Sequence, residues 1–511
     1  MRIYKLFYVL YKIKLFSPVA IFRLFSNINK YGVNLMALLS FSAKTYGDSV
    51  ALVDEQEVLT YHQLFIQSKQ LSLAMRENFE LIKGKKVGIL CRNHASLVKA
   101  IYAVSYTGAD LYLLNTELSK EQLHHLLDHR DFDLLIYDHE LSLIIEQSTY
   151  KKAKLLSYDG VYPAINNLLA TTEYGQKQHY RTSSGKLVIL TGGTTGNAKE
   201  AMHKPSLFNY LDPFAALLSR LKIINYNIVY IATPIFHGYG IAILLLFGAI
   251  GKKVVIQCRF NAEKACELIR EHQVQVVSVV PLMLHKMLMT NSVALKSLTC
   301  IASGSAELNP KLIEATLSQL GNVLYNLYGT SEAGLTVIAQ PDDLRISPRT
   351  IGRKIEGVQL KILDEHEMEV AVGSIGQLCI RNKYNGKSRT KAWIETGDLG
   401  YRDEQGYYYL SGRVDNMIVS AGENVYPLEV EQVLLSNVNI EAVAVVGVSD
   451  EQFGQRLKAY VQLVPHAAIT TEELLVWLRS RLARYQIPKE ITFVDEMPYT
   501  AIGKLDRKLL K

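Results

Sequence analysis

Four short apolar runs limit this chain more than anything else in it. They are Lys86 to Cys91, Leu187 to Leu190, Val276 to Val280 and Leu298 to Ala302. Each ends in small or polar residues, and each is followed by a helical pattern of apolar residues. A run of four to six β-branched and aliphatic residues is too short for a buried helix and reads as a strand. Strands that alternate with helices form βα units, which pack as a parallel sheet covered by helices. The expected class is α/β, with a large N-terminal domain of several subdomains. Near residue 410 the texture changes. Gly406 to Leu410 alternates, then Gly412, Arg413 and Asp415 punctuate the chain. A β-rich and helical piece of about 100 residues follows. Its expected strands are Val443 to Val448 and Leu457 to Val464. Its main helix is expected over Glu472 to Arg484, begun by Thr470 or Thr471. The expected organisation is a segment 1–47, a domain 48–413 and a small mobile α+β domain 414–511.

Charge separates the first of these from the rest. The chain carries 56 Lys and Arg against 49 Asp and Glu. The first acid is Asp48, and seven basic residues precede it: Arg2, Lys5, Lys12, Lys14, Arg23, Lys30 and Lys44. Beyond them the count is balanced, 49 against 49. An enzyme working on nucleic acid would spread basic residues over its working surface, so no nucleic-acid partner is expected. Lys12 and Lys14 interrupt the first apolar run, which therefore reads neither as a secretory signal nor as a spanning helix. Residues 1–30 fit a helix lying on an anionic membrane surface, or a helix packed on the protein's own body. Both readings stay open. The five cysteines are scattered without C-x-x-C spacing, which fits a reducing cytoplasm better than a disulfide framework or a zinc site. Ile223 to Gly251 holds no charged side chain, but Asn225, Asn227, Pro234, His237 and Gly240 break it. What is left is a ten-residue apolar core helix, Ile241 to Ile250.

Four motifs carry chemistry. In the first, the strand Leu187 to Leu190 runs into Thr191, Gly192, Gly193, Thr194, Thr195, Gly196, Asn197, Ala198 and Lys199. Glycines let backbone N–H groups turn toward an anion, threonine hydroxyls add donors, and lysine adds charge. That is phosphate-cradle chemistry, without the G-x-x-x-x-G-K-[ST] spacing. The second is Tyr328, Gly329, Thr330, Ser331 and Glu332. It offers a ring to stack, hydroxyls to bond a phosphate and a carboxylate for Mg²⁺; taken alone, it also reads as a helix start capped by Ser331. The third is Thr396, Gly397 and Asp398, with Gly412, Arg413 and Asp415 after it. An Asp that accepts two hydroxyl protons is a common way to hold a ribose. The fourth is Gly503 and Lys504.

In this order, the motifs resemble the adenylate-forming superfamily of acyl-CoA synthetases, peptide-synthetase adenylation domains and luciferases. The resemblance runs from about residue 33 to the end. Val87 to His94, Leu114 to Thr116 and Ala421 to Pro427 make it look most similar to bacterial medium- and long-chain fatty acyl-CoA synthetases. So does the Gly-Gly form of the phosphate loop, with Ala198 where many relatives have proline. The resemblance implies that Thr191, Thr194, Thr195, Gly196 and Lys199 contact the phosphates of ATP. Ser303 and Gly304 would lie along the adenine, with Tyr328 and Gly329. Ser331 would bond the α-phosphate, and Glu332 would hold Mg²⁺. Asp398 and Arg413 would grip the ribose, Asp415 would be the hinge, and Lys504 would bridge carboxylate and α-phosphate. His237 matches a position at the acyl pocket, and Gly422 one beside the coenzyme A tunnel. Four residues depart from the pattern. Glu200 stands where glycine is usual, Ser305 and Glu307 where glycine and proline are common, and Gly192 where the phosphate loop usually has serine.

The implied activity is ATP-dependent conversion of a fatty acid to acyl-AMP and then to acyl-CoA. One alternative keeps adenylation but takes an aryl or branched acid, or a carrier protein as acceptor. Another is a non-catalytic nucleotide-binding protein at a membrane, suggested by Glu200 and the basic leader. The implied partners are the acid, ATP, Mg²⁺ and coenzyme A, in the cytoplasm or on the inner face of the membrane.

Overall fold

The computed structural model describes residues 11, 17–160, 163–171, 181–183, 185–191, 199–203, 211–330, 333–381, 393–420, 423–450, 454–500 and 503–510. They form two compact units. The first comprises Met1–Arg345, Ile355–Val358 and Asn382–Thr390; the second comprises Ile346–Lys354, Gln359–Arg381 and Lys391–Lys511.

The first unit is α/β, as expected. One six-stranded sheet runs in the order Ala153–Leu156, Leu134–Tyr137, Lys86–Leu90, Asp110–Leu113, Leu187–Thr191 and Lys199–His203. Its first five strands are parallel and the last is antiparallel. A second path of strands runs Gly334–Ala339, Leu324–Thr330, Cys300–Gly304, Val276–Val279, Ile228–Ile231, Lys253–Ile256, Val50–Val53 and Val58–Thr60. The six inner strands are parallel, and the strand at each end is antiparallel. The parallel strands are buried on both faces, which is why they read as continuous apolar runs instead of alternating. Val276–Val279 and Leu134–Tyr137 are buried at every residue. Helices Ala262–His272 and Pro281–Asn291 supply Ala265, Ile269, Leu284 and Met287 to the core over the second path.

Two boundaries of this unit differ from expectation by two residues or more. The strand foreseen at Leu298 to Ala302 starts instead at Cys300, which pairs with Val276. Leu298 closes a turn by donating its N–H to Leu295, so it cannot join the ladder. The apolar helix runs Gly238–Ala249, three residues earlier than its apolar run suggested, because Gly238 to Gly240 supply the first turn. No helix among the described residues is long and apolar enough to cross a membrane.

The second unit holds an antiparallel ladder and a smaller α+β piece. The ladder order is Thr350–Lys354, Tyr408–Arg413, Ile394–Arg402, Gly376–Arg381 and Gln359–Leu363. In the smaller piece, strands Ile440–Asp450 and Gly454–Leu463 form a long antiparallel pair. Helices Pro427–Leu435 and Thr471–Arg479 pack Val430, Leu434, Leu474 and Leu478 against Val443, Val445 and Leu457. Thr470 is the N-cap, and it exchanges hydrogen bonds with Glu473 in a capping box. This helix ends at Arg479, earlier than expected. The last residue it adds to the core is Leu478, and the backbone then turns at Ser480.

Candidate active site

In open α/β sheets, ligands bind outside the carboxyl ends of the parallel strands. Three sequence-predicted groups of the first unit sit at such ends. Ser303 and Gly304 close the strand Cys300–Gly304. Tyr328 and Gly329 lie near the end of the neighbouring strand, where Gly304 is in register with Leu327. His237 follows the strand Ile228–Ile231 and is the N-cap residue of the apolar helix. Its ring lies 4.5 Å from that of Phe236.

Packing at these ends is tight. A Cβ on Gly304 would come within 3.0 Å of the Leu327 carbonyl oxygen. On Gly329 it would meet the Gly334 carbonyl oxygen at 2.4 Å, so only glycine fits this turn. Ser303 is fully buried, and its hydroxyl has no hydrogen-bond partner among the described residues. A buried polar group of that kind is costly unless something satisfies it. Among the described residues no helix directly follows the motif, as its alternative reading would have it. A strand, Gly334–Ala339, follows and folds back on Leu324–Thr330, with Thr330 opposite Gly334. Ser331 and Glu332 themselves lie outside the described residues.

Sequence reasoning passed over Tyr239. Its hydroxyl donates to the Ala302 carbonyl at 2.7 Å, tying the start of the apolar helix to the strand that carries Ser303. Burial of the ring pushes its phenol pKa well up, so it stays protonated and donating. The string from Pro234 to Tyr239 carried the signal, but an internal brace is invisible without the neighbouring strand.

The phosphate-loop motif is framed by a hairpin. Thr191 pairs with Lys199 and Leu190 with Glu200. Thr194, Thr195 and Gly196 lie outside the described residues, as does Gly422. The hairpin therefore brings the threonine and the lysine at the ends of the motif opposite each other.

The second unit gathers its predicted residues closely. Asp398 and Arg413 are in register on adjacent antiparallel strands. Arg413 donates from Nη1 to Asp398 Oδ1 at 2.9 Å and from Nε to Asp415 Oδ1 at 2.9 Å. Asp415 sits in the short helical turn Val414–Asn416 that follows the strand at once. Burial alone would lower the Arg413 pKa, but Asp415 and Asp398 outweigh it and hold the guanidinium firmly charged. Thr396 donates from Oγ1 to the Leu378 carbonyl at 2.8 Å and accepts from the Asp398 N–H at 3.0 Å. It thus fixes the backbone of the acid.

Lys504 stands at the tip of a tight hairpin. The Thr500 N–H donates to the Lys504 carbonyl at 2.7 Å, and the Gly503 N–H to the Thr500 carbonyl at 2.8 Å. Gly503 has φ +69°, which glycine adopts without strain. The residue as a whole is exposed, but protein atoms around its amine strip away hydration. That desolvation lowers the lysine pKa, Arg413 lowers it further, and Asp398 opposes both. The ammonium therefore lies within the electrostatic reach of the Asp398–Arg413 pair.

One trio among the described residues resembles a metal site by distance: Cys91, His94 and Asp138. Its hydrogen bonds argue for a structural knot. His94 Nδ1 accepts from the Leu97 N–H, and Nε2 bonds Asp138 at 2.8 Å. Asp138 also accepts from Ser157 Oγ and from the Arg92 N–H. Both imidazole nitrogens are thus engaged. Burial raises the Cys91 pKa well above its usual value, so no thiolate is ready to bind a cation.

This arrangement has a family. The AMP-binding enzyme model matches residues 39–388, and the AMP-binding enzyme C-terminal domain model matches residues 429–504. The chain belongs to the AMP-binding enzyme family, within the adenylate-forming superfamily, and its reaction class is that of an AMP-forming ligase. It is 28% identical over 475 residues to the 2-succinylbenzoate–CoA ligase of Bacillus licheniformis, covering 91% of this chain and 96% of that one. A solved structure of o-succinylbenzoate CoA synthetase from Bacillus subtilis, in complex with its acyl-adenylate, superposes with a TM-score of 0.80 at 26% identity. The match covers 93% of this chain and 97% of that one. The same enzyme has been solved with ATP and magnesium, again at TM-score 0.80 and 26% identity, covering 93% and 98% of the two chains.

Proposed function

We propose that this protein joins an aryl carboxylic acid to coenzyme A through an acyl-adenylate, and that its acid is 2-succinylbenzoate or a close relative. The observation that carries the reaction is the Asp398–Arg413 pair, held in register on adjacent strands, whose charges reach Lys504. The aryl acid is favoured over the fatty acid expected from sequence by the similar ligases and their solved structures. The fatty-acid reading keeps one observation, the charge-free helix Gly238–Ala249 beside His237.

A carboxylate is a poor electrophile and must first become a mixed anhydride with AMP. Its oxygen attacks the α-phosphorus of ATP, and pyrophosphate leaves. Attack brings negative groups together, so catalysis is mainly positioning and neutralisation. In this proposal the Lys504 ammonium bridges the attacking carboxylate and the α-phosphate. Asp398 accepts from the ribose hydroxyls; a carboxylate offers about four acceptor sites, enough for Arg413 and a diol together. Thr191 and Lys199 face the phosphates with Thr194, Thr195 and Gly196, and Ser331 bonds the α-phosphate. The Ser303 hydroxyl gains its missing partner from the nucleotide, with Gly304, Tyr328 and Gly329 beside it. Glu332 would hold the magnesium ion that accompanies ATP, which would neutralise phosphate charge. The coenzyme A thiolate, guided past Gly422, then attacks the acyl carbon, and AMP leaves. Asp415 is assigned the pivot between the segments 48–413 and 414–511.

The test is thioester formation from ATP, coenzyme A and either 2-succinylbenzoate, benzoate, octanoate or palmitate. The aryl reading expects 2-succinylbenzoate to give the highest kcat/KM. A preference for octanoate or palmitate would return the substrate to the fatty acids. Pyrophosphate exchange without thioester would point to another acceptor, such as a carrier protein.

A further inference from the structure

We propose that the outer face of the helix Pro18–Tyr31, with the basic residues around it, is a docking surface for an anionic lipid bilayer. The helix is already anchored on its inner side. Ala20, Asn27 and Tyr31 are buried there. Ser40 donates to Asn27 Oδ1 at 2.9 Å, and the Tyr31 ring meets Tyr106 edge-on at 5.5 Å. Ser17 caps the start by accepting from the Ala20 N–H. The helix is therefore fixed in its roll about its own axis, and its opposite face is presented outward.

That face is apolar. Val19, Phe22 and Phe25 are 58%, 72% and 61% exposed. They are spaced by three, which aligns them in one stripe along the helix. Two phenylalanines held outward on an anchored helix gain nothing from the protein's core. Such a patch marks an interaction site more often than an idle surface.

The rim is basic. Arg23 donates from Nη1 to the Lys44 carbonyl at 3.1 Å, which joins the end of the next helix, Leu35–Tyr46, to this one. Lys30 and Lys44 are both exposed. Partial burial lowers the Lys44 pKa, and Lys30 and Arg23 add repulsion; Lys69 is lowered by burial and then by Lys30. No acid occurs before Asp48, and Arg2, Lys5, Lys12 and Lys14 extend the same composition through residues 1–16. A crowd of like charges beside an apolar stripe fits lipid headgroups over an acyl boundary. A second copy fits worse. A two-fold contact would set Arg23, Lys30 and Lys44 of both copies against each other.

The experiment is flotation of the full chain with vesicles of equal phosphatidylglycerol and phosphatidylcholine, against phosphatidylcholine alone. Binding is expected only to the anionic vesicles and should weaken as salt rises. The double variant Phe22→Ser, Phe25→Ser should weaken it by about tenfold or more, and so should Lys30→Glu, at an exposed position. Both should keep the wild-type rate on a soluble acid, which confirms the fold. No binding by the unaltered chain, or equal binding by the variants, overturns the proposal. So does a concentration-dependent dimer that the double variant abolishes in the absence of vesicle binding.

Discussion

Gly397 makes room for Arg413. Its φ is +76°, and a Cβ there would stand 2.8 Å from Arg413 Nη2. The missing side chain is what lets the guanidinium lie against the backbone of its partner strand while bonding Asp398 and Asp415.

Gly397→Ala should therefore act on nucleotide binding through Arg413. The methyl group strains the backbone and pushes the guanidinium off Asp398. A charge-assisted hydrogen bond is worth about 1.5–3 kcal/mol, so KM for ATP should rise by about 10- to 100-fold. Steady-state kinetics at saturating acid measures it. An unchanged KM would mean that the fit between the two residues has no part in holding ATP.

Lys504 should set the alkaline limit of adenylation. Its folded pKa is lowered, so its charge is lost at a lower pH than for an ordinary lysine. The ammonium is the working form, and the rate of pyrophosphate exchange should fall as pH rises through that lowered pKa. Lys504→Arg, whose guanidinium stays charged, should move this limb to higher pH even if the rate falls. Asp398→Asn removes a group that raises the pKa and should move the limb lower still. Lys504→Ala should abolish the limb along with most of the exchange. A limb that is the same in wild type and Lys504→Arg would show that another group sets it.

Much of this was legible because it is local. Buried parallel strands must be apolar throughout, so Val276–Val279 announces itself. Asp398 and Arg413 could be paired from motif order, and the ladder puts them in register. What was not legible depends on contacts remote in sequence. Tyr239 matters through Ala302, 63 positions away. Cys91, His94 and Asp138 form a knot because two adjacent strands end together, which no spacing reveals. The acid itself is set by side chains from many elements, so motifs shared by a whole superfamily gave the reaction class and not the substrate.

Ser305 offers a test of local strain. Its φ is +68°, in the left-handed region. A left-handed conformation costs a residue with a side chain roughly 1–2 kcal/mol. Glycine removes that cost but adds chain entropy to the unfolded state, worth about 0.4–1 kcal/mol. Ser305→Gly should thus raise stability by up to about 1.5 kcal/mol. Ser305→Val should lower it by about 1–2 kcal/mol, since branching at Cβ is poorly tolerated there. Denaturant midpoints at constant slope measure both. Equal stability of the two variants would show that the backbone relaxes around this position.

Arg507 should position Lys504 from three residues away. It reaches back from the last short helical turn, Arg507–Leu510, and holds Glu431 through Nη2 at 2.7 and 2.9 Å. Glu431 is buried and also accepts from the Val445 N–H at 2.7 Å. Removing the arginine leaves a buried carboxylate without its cation, at a cost of about 3–5 kcal/mol to the small α+β piece. With its anchor gone, the hairpin that carries Lys504 should lose its fixed place. Arg507→Ala should therefore lower kcat for pyrophosphate exchange much more than it raises KM for ATP. The double variant Arg507→Met, Glu431→Leu removes both charges, so it should recover part of the stability, less the cost of the orphaned Val445 N–H, but not the rate. Recovery of both would mean that Arg507 only neutralises Glu431 and has no part in placing the lysine.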